Sequence, residues 1–287
     1  MDGLTTADGR RLAYRRTGEG QTLVCHGGGP GLSGLYLADL GGLDEHVELV
    51  LLDPRGTGVS DRPADSSGYA IADYTSDLEE LREHLGLERM GVLGHSHGGV
   101  VAMDYAARHP DQVERLILAS TLPRWASEQE EAMQASIASH EGEPWYEDAK
   151  AALDAELAGD FSTDEELADI GLREFPFYFA RYGDEERAYL ETLRGDIPNA
   201  DALRLWDREI FETFDVRPEL GKITAPTLVI TGEEDFITGP PSAREIAAGI
   251  EHAETVLLPG TGHFIFVEAP RAFREAVLAF LGVPIEV

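Results

Sequence analysis

Ser96 stands in Gly94-His95-Ser96-His97-Gly98-Gly99, a Gly-x-Ser-x-Gly string after the apolar run Met90 to Leu93 and before an Ala-rich stretch reaching Arg108. Strand, sharp turn and helix form the context in which such a serine serves as a nucleophile. A turn this tight brings neighbouring chain segments against Gly94 and Gly98, where a Cβ would collide. The strained serine projects its hydroxyl out of the sheet. The helix beyond it aims free amides at the same point, where they stabilise negative charge on a substrate oxygen. A βα turn without chemistry uses the same residues, so the reading requires a base.

Nine histidines are available, and His263 is the one placed for the role. It lies in Pro259-Gly260-Thr261-Gly262-His263-Phe264, directly after the strand-like run Glu254 to Leu258. Asp235 closes Gly232-Glu233-Glu234-Asp235, just beyond the apolar run Pro226 to Thr231. A carboxylate there orients an imidazole and stabilises its charged form. Taken singly, Asp235 is one of 54 acids and His263 an ordinary loop histidine. Together, at strand ends and in the order Ser96, Asp235, His263, they predict a nucleophile, acid and base, with Glu233 and Glu234 as alternative acids.

A second oxyanion donor is expected from His26-Gly27-Gly28-Gly29-Pro30-Gly31, near Gly28, beside the amide of His97. Phosphate binding is the competing use of such a loop, but the spacing is neither Gly-x-Gly-x-x-Gly nor that of a Walker loop. In Asp53-Pro54-Arg55-Gly56-Thr57-Gly58-Val59-Ser60 the third glycine is again missing. Arg55 there reads as a buried partner of a carboxylate. The His95/His97 pair has no cluster of further ligands nearby, so neither metal nor cofactor is expected. Cys25, the only cysteine, excludes an intrachain disulfide and reads as core.

These residues need a scaffold. Thr22 to Cys25, Val47 to Asp53, Met90 to Leu93, Leu116 to Ala119, Pro226 to Thr231 and Glu254 to Leu258 are near-continuous apolar runs, as in strands buried on both faces. Helical spacing marks Asp73 to Leu85 and Pro270 to Leu281. The sequence therefore predicts an α/β fold with a mostly parallel central sheet flanked by helices. From Leu122 to Asp215 the strand rhythm stops, and the chain turns helical, acidic and aromatic. Residues 1–121 and 216–287 are expected to form the core, and 122–215 an inserted helical lid whose aromatics mostly fill its own interior.

Composition narrows the partners. Against 54 acidic residues there are 23 basic ones, a formal charge of −31, and the only lysines are Lys150 and Lys222. Such a surface repels nucleic-acid backbones and anionic membranes. The expected partner is a small molecule or short peptide, with the oligomeric state open. No apolar run is long enough to cross a bilayer and Met1-Asp2-Gly3 begins no leader, so a cytoplasmic location is expected.

The set His26–Gly31, Asp53–Ser60, Gly94–Gly99, Asp235 and His263 resembles the α/β-hydrolase superfamily, and most closely its proline iminopeptidase-like branch. The resemblance implies Ser96 as nucleophile, His263 as base, Asp235 as orienting acid, and Gly28 and His97 as oxyanion amides. It also implies departures. The glycine loop carries one extra glycine. His97 stands where those peptidases usually have tryptophan. Phe236 follows the acid where some of them place a glutamate for the substrate's free amine, leaving Glu209 and Glu212 of the lid as substitutes. The extra-glycine string is similar to that of C–C bond hydrolases. The implied function is hydrolysis of a small ester or amide through an acyl-enzyme. C–C or lactone hydrolysis, acyl transfer, and a low-turnover binding protein that keeps the residues are the alternatives.

Overall fold

The computed structural model describes residues 1–284; the last three residues of the expected core, 285–287, lie outside the described residues. Six strands run parallel: β3 (Thr22–His26), β4 (Glu48–Asp53), β5 (Met90–His95), β6 (Val113–Ala119), β7 (Thr227–Gly232) and β8 (Ala253–Leu258). An antiparallel edge not anticipated from the sequence is added by β1 (Asp2–Thr5) and β2 (Arg11–Thr17). Among the described residues the sheet order is β1-β2-β4-β3-β5-β6-β7-β8. This is an α/β-hydrolase fold.

The period-2 geometry of strands divides the apolar runs between two cores. Val24, Val50, Val92, Leu116 and Val229 face one side, against Leu78 of α1 (Ile71–His84), Val101 of α2 (His97–Arg108) and Ile246 of α9 (Gly239–Gly249). Their neighbours Leu23, Leu51, Leu93, Ile117 and Ile230 face the other, against Phe273 and Val277 of α11 (Pro270–Leu281). Covered on both faces, these strands carry no polar alternation. That is why the sequence shows unbroken apolar runs.

Between β6 and β7 the chain forms α3 (Ser127–Ser139), α4 (Tyr146–Ala158), α5 (Asp164–Glu174), α6 (Asp184–Thr192) and α7 (Ala200–Leu205), and the one-turn helix α8 (Arg217–Leu220) leads back to the sheet. A second single turn, α10 (Ile265–Glu268), follows β8. The acidity of the insertion is placed by helix chemistry. Asp164, Glu165 and Glu166 open α5, and Asp184, Glu185 and Glu186 open α6, where the helix dipole favours negative charge. Thr163 and Glu166 make a reciprocal cap on α5. Buried Asn199, just before α7, fastens the insertion to the sheet-end loops. Its amide donates to the Gly31 carbonyl (2.9 Å) and its side chain to the Gly56 carbonyl (3.0 Å) and the Tyr69 hydroxyl (2.7 Å). No helix is long and apolar enough to cross a membrane among the described residues.

Candidate active site

Ser96 links β5 to α2 with φ 56° and ψ −125°, a left-handed backbone that a residue with a side chain adopts only under constraint. The bend is possible because the chain behind it is stripped to backbone. A Cβ on Gly94 would lie 2.3 Å from the Gly98 carbonyl oxygen, and one on Gly98 would lie 2.2 Å from that of His26. His97 opens α2, so its amide belongs to the first turn, whose N–H groups have no helical partner. The His97 ring points away, 4.7 Å from Trp206 and 5.2 Å from Tyr74 between ring centres, buried and held neutral because burial lowers its pKa to about 3. His95 and His97 therefore diverge.

Because β5, β7 and β8 are parallel, the segments after them emerge on one edge of the sheet. The loop after β7 carries Asp235 and the loop after β8 carries His263, and His263 Nδ1 lies 3.0 Å from Asp235 Oδ2. Both side chains are buried. Asp235 Oδ1 accepts from the amides of Ile237 (3.1 Å) and Thr238 (3.0 Å), while the hydroxyls of Thr238 and Thr231 reach Oδ2. Burial opposes the charge, but His263 and the Thr238 donors outweigh it and hold the carboxyl below the usual range. A carboxylate only accepts, so His263 donates from Nδ1 and leaves the Nε2 lone pair free. Ser96 Oγ makes no hydrogen bond to His263 among the described residues; the two side chains meet as walls of one cavity of about 90 Å³.

The Gly28 amide is already taken: it donates to the Tyr36 hydroxyl at 2.6 Å. It is Gly29, one residue on, that lines the cavity with Ser96. The insertion supplies two carboxyls to this cavity, Glu156 and Glu174. Glu174 is 1 % exposed and its Oε2 has no hydrogen-bond partner. Burial, and then the neighbouring Glu156 carboxyl, push its pKa well up; burial also raises that of Glu156. Glu209 and Glu212 are exposed and stand outside the cavity, so the structure gives them no part in it. They sit on the solvent side of the turn whose Trp206 and Phe214 face the core. Phe236 is buried against Tyr178 (4.8 Å) and Phe177 instead of facing Ser96; its neighbour Ile237 reaches the cavity. The sequence offered one signal for Glu174: an acid set directly before the aromatic run Phe175-Pro176-Phe177-Tyr178.

Around the site the loops are braced. Arg55 grips Asp77 with two bonds (2.7 and 2.8 Å) and donates to the carbonyls of Gly68 and Asp73. His26 uses Nδ1 on the neighbouring Gly27 carbonyl (2.7 Å).

The sequence profile of the α/β-hydrolase fold family matches residues 21–270. The chain belongs to that family. A proline iminopeptidase of Saccharolobus solfataricus is 30 % identical, over 93 % of this chain and 87 % of its own. Among solved structures, the enol-lactonase of Burkholderia xenovorans superposes with a TM-score of 0.75 at 26 % identity, covering 98 % of this chain and all of the other. The proline iminopeptidase of Mycobacterium smegmatis does so with 0.73 at 24 % identity, covering 98 % of each.

Proposed function

We propose that this protein is a serine hydrolase that forms and hydrolyses an acyl-enzyme on Ser96, taking compact substrates with a free amine close to the acyl carbon. One observation carries the reading. A serine on a strained strand-to-helix bend opens into the same small cavity as a histidine whose other nitrogen is held by a buried, ionised aspartate.

Ser96 Oγ attacks the substrate carbonyl while His263 Nε2 takes its proton. The step requires the two atoms, which share the cavity, to come within hydrogen-bond reach in the substrate complex. Asp235 stays ionised and offsets the charge on the imidazolium. The oxyanion is met by the amides of His97 and Gly29, the latter replacing the engaged amide of Gly28. His263 then gives its proton to the leaving group, and water repeats the sequence to free the acid. Residues 122–215 act as a cap, and its Glu156 and Glu174 receive the substrate's ammonium, whose charge offsets their full ionisation. The similarity to a protein named proline iminopeptidase supports an amine-bearing substrate. A lactone reading is favoured by a separate observation. Burial and the Glu156 carboxyl favour the protonated form of Glu174 when no cation is bound, and in that form the carboxyl can donate to a neutral ring oxygen.

The test is a panel of aminoacyl anilides and nitrophenyl esters, with free and acetylated amines, run beside simple lactones. A fluorophosphonate should label Ser96 once per chain and leave Ser96→Ala unlabelled. Free-amine substrates should turn over at least about tenfold faster than acetylated ones, since a hydrogen bond to a charged group contributes about 1.5–3 kcal/mol. No label and no turnover would leave a binding protein. Lactones alone would leave the fold's chemistry but remove the amine.

A further inference from the structure

We infer that Tyr36 and His95 are positioning residues, forming a directional hydrogen-bond relay that locks the glycine loop to the loop carrying His263. The inference rests on the serine-hydrolase reading above. His95 Nε2 lies 3.1 Å from the His263 carbonyl oxygen, which can only accept, so Nε2 carries the proton. Burial lowers the His95 pKa to about 3, so the ring is neutral and Nδ1 presents a lone pair. Its partner at 2.7 Å is the Tyr36 hydroxyl, which gives its single proton there. The Tyr36 oxygen is then left to accept, and it does, from the Gly28 amide at 2.6 Å. The hydrogens have one consistent arrangement, from the Gly28 amide to the His263 carbonyl.

The placement gives the relay its function. Gly28 lies in the loop after β3, His95 is the last residue of β5 and the neighbour of Ser96, and His263 lies in the loop after β8. Three strand ends that must hold oxyanion donor, nucleophile and base within a fraction of an ångström are thereby joined through side chains. Engaging the Gly28 amide also fixes the loop so that Gly29 faces the cavity. The relay is dry. Tyr36 and His95 are 2 % and 1 % exposed, and Phe264 and Phe266 lie 6.0 and 5.3 Å from the His95 ring. In such surroundings a chain of hydrogen bonds is mutually reinforcing. Tyr189 of α6 donates to the Tyr36 carbonyl (2.6 Å), so the cap is seated on the same residue.

The test compares Tyr36→Phe, His95→Leu, which has neither donor nor acceptor, and the double variant with the unaltered protein. For the best ester of the panel, Tyr36→Phe should lower kcat about tenfold or more, a coupling within the usual range for groups in contact, while KM moves less than about threefold. Fluorophosphonate labelling of Ser96 should slow in proportion yet still reach one per chain. The double variant should lose no more than the worse single variant, because both remove one shared bond. In nitrogen-15 spectra of the unaltered protein at pH 7, His95 should be the Nε2–H tautomer. Additive losses, an unchanged kcat, or the Nδ1–H tautomer each overturn the relay. The tautomer is read on the unaltered chain, so it decides even where a variant fails to fold. If Ser96→Ala still labels and turns over, the underlying hydrolase reading falls; if Ser96→Ala is dead while Tyr36→Phe is unaffected, only the relay does.

Discussion

The buried acids on the sheet side of the site and on its insertion side differ in how they are paired; the sheet-side atoms without a partner at the site, His26 Nε2 and His97 Nε2, belong to neutral rings. On the sheet side, each oxygen of the buried Asp235 carboxylate has donors, Arg55 and Asp77 satisfy one another, and His95 has a partner on each nitrogen. On the insertion side, Glu174 is as deeply buried but leaves Oε2 without a partner and lies beside a second acid. Paired groups in a dry site are rigid and keep their geometry without substrate. An unpaired buried carboxyl is costly on its own and is relieved by a ligand. The sheet wall is thus suited to generic bond-breaking, and the insertion wall to choosing what is broken.

The largest effects should come from the sheet wall and ignore substrate identity. Ser96→Ala should lower kcat/KM by about 10³-fold or more for every substrate in the panel, with an unchanged thermal midpoint, because nucleophile and base act as a unit. Asp235→Asn should fall by several orders, since the amide favours the wrong imidazole tautomer. If Glu234→Gln proves damaging and Asp235→Asn silent, the acid has been misassigned.

Next in size is a stability contrast. Asp77→Ala strands the Arg55 guanidinium, 4 % exposed, and should cost about 3–5 kcal/mol in denaturant unfolding. Asp148→Ala in the insertion removes one of the two carboxylate partners of Arg173, in a pair whose side chains are 38 % and 65 % exposed, and should cost under about 1 kcal/mol. Equal losses would break the claim that the buried brace of the sheet-end loops and the surface pairs of the insertion are built differently.

The same contrast explains what is legible in the sequence. The six parallel strands can be read because burial on both faces leaves apolar runs, and Ser96, Asp235 and His263 because each sits where such a run ends. Strands β1 and β2 escape that reading. β2 is Arg11-Leu12-Ala13-Tyr14-Arg15-Arg16-Thr17, between the edge strand β1 and β4, with mixed burial and three arginines, so no apolar run announces it. In the insertion, Glu209 and Glu212 stand out as acids near aromatics, yet helical phase decides which side an acid faces. Glu174 lies against the core and Glu209 faces water. That phase depends on how whole helices dock, which local spacing does not encode. The engagement of the Gly28 amide is hidden for a related reason, since Tyr36 comes from outside the glycine loop.

A smaller effect sharpens the insertion wall. Glu174→Gln should raise KM for free-amine substrates about 10- to 100-fold, matching about 1.5–3 kcal/mol for a charge-assisted bond, and leave acetylated analogues within about threefold. Because burial raises the Glu174 pKa, amine binding should strengthen as pH rises and the carboxyl ionises. A uniform loss across both substrate sets would mean that Glu174 serves the fold alone.

The smallest effect concerns the seam between the walls. Glu268 accepts from Ala180 of the insertion (2.8 Å) and from Gly262 beside His263 (2.7 Å). Burial nonetheless raises its pKa to about 7, against the backbone amides of Gly262, Ala180 and Arg181, which favour the charge. A carboxyl whose folded pKa lies above its unfolded value binds its proton more tightly in the fold. Folding is therefore favoured at low pH, and stability is lost as pH climbs from about 4.5 to about 7. The Glu268→Gln variant cannot titrate there and should lack that decline. Thermal midpoints of variant and unaltered protein, compared at pH 5 and pH 8, should show the unaltered chain losing ground relative to the variant by a few degrees. Subtracting one protein from the other removes the contribution of the other carboxylates, which both share. A difference that is flat with pH would mean the backbone donors fully offset the burial, so that the seam is as well paired as the sheet side.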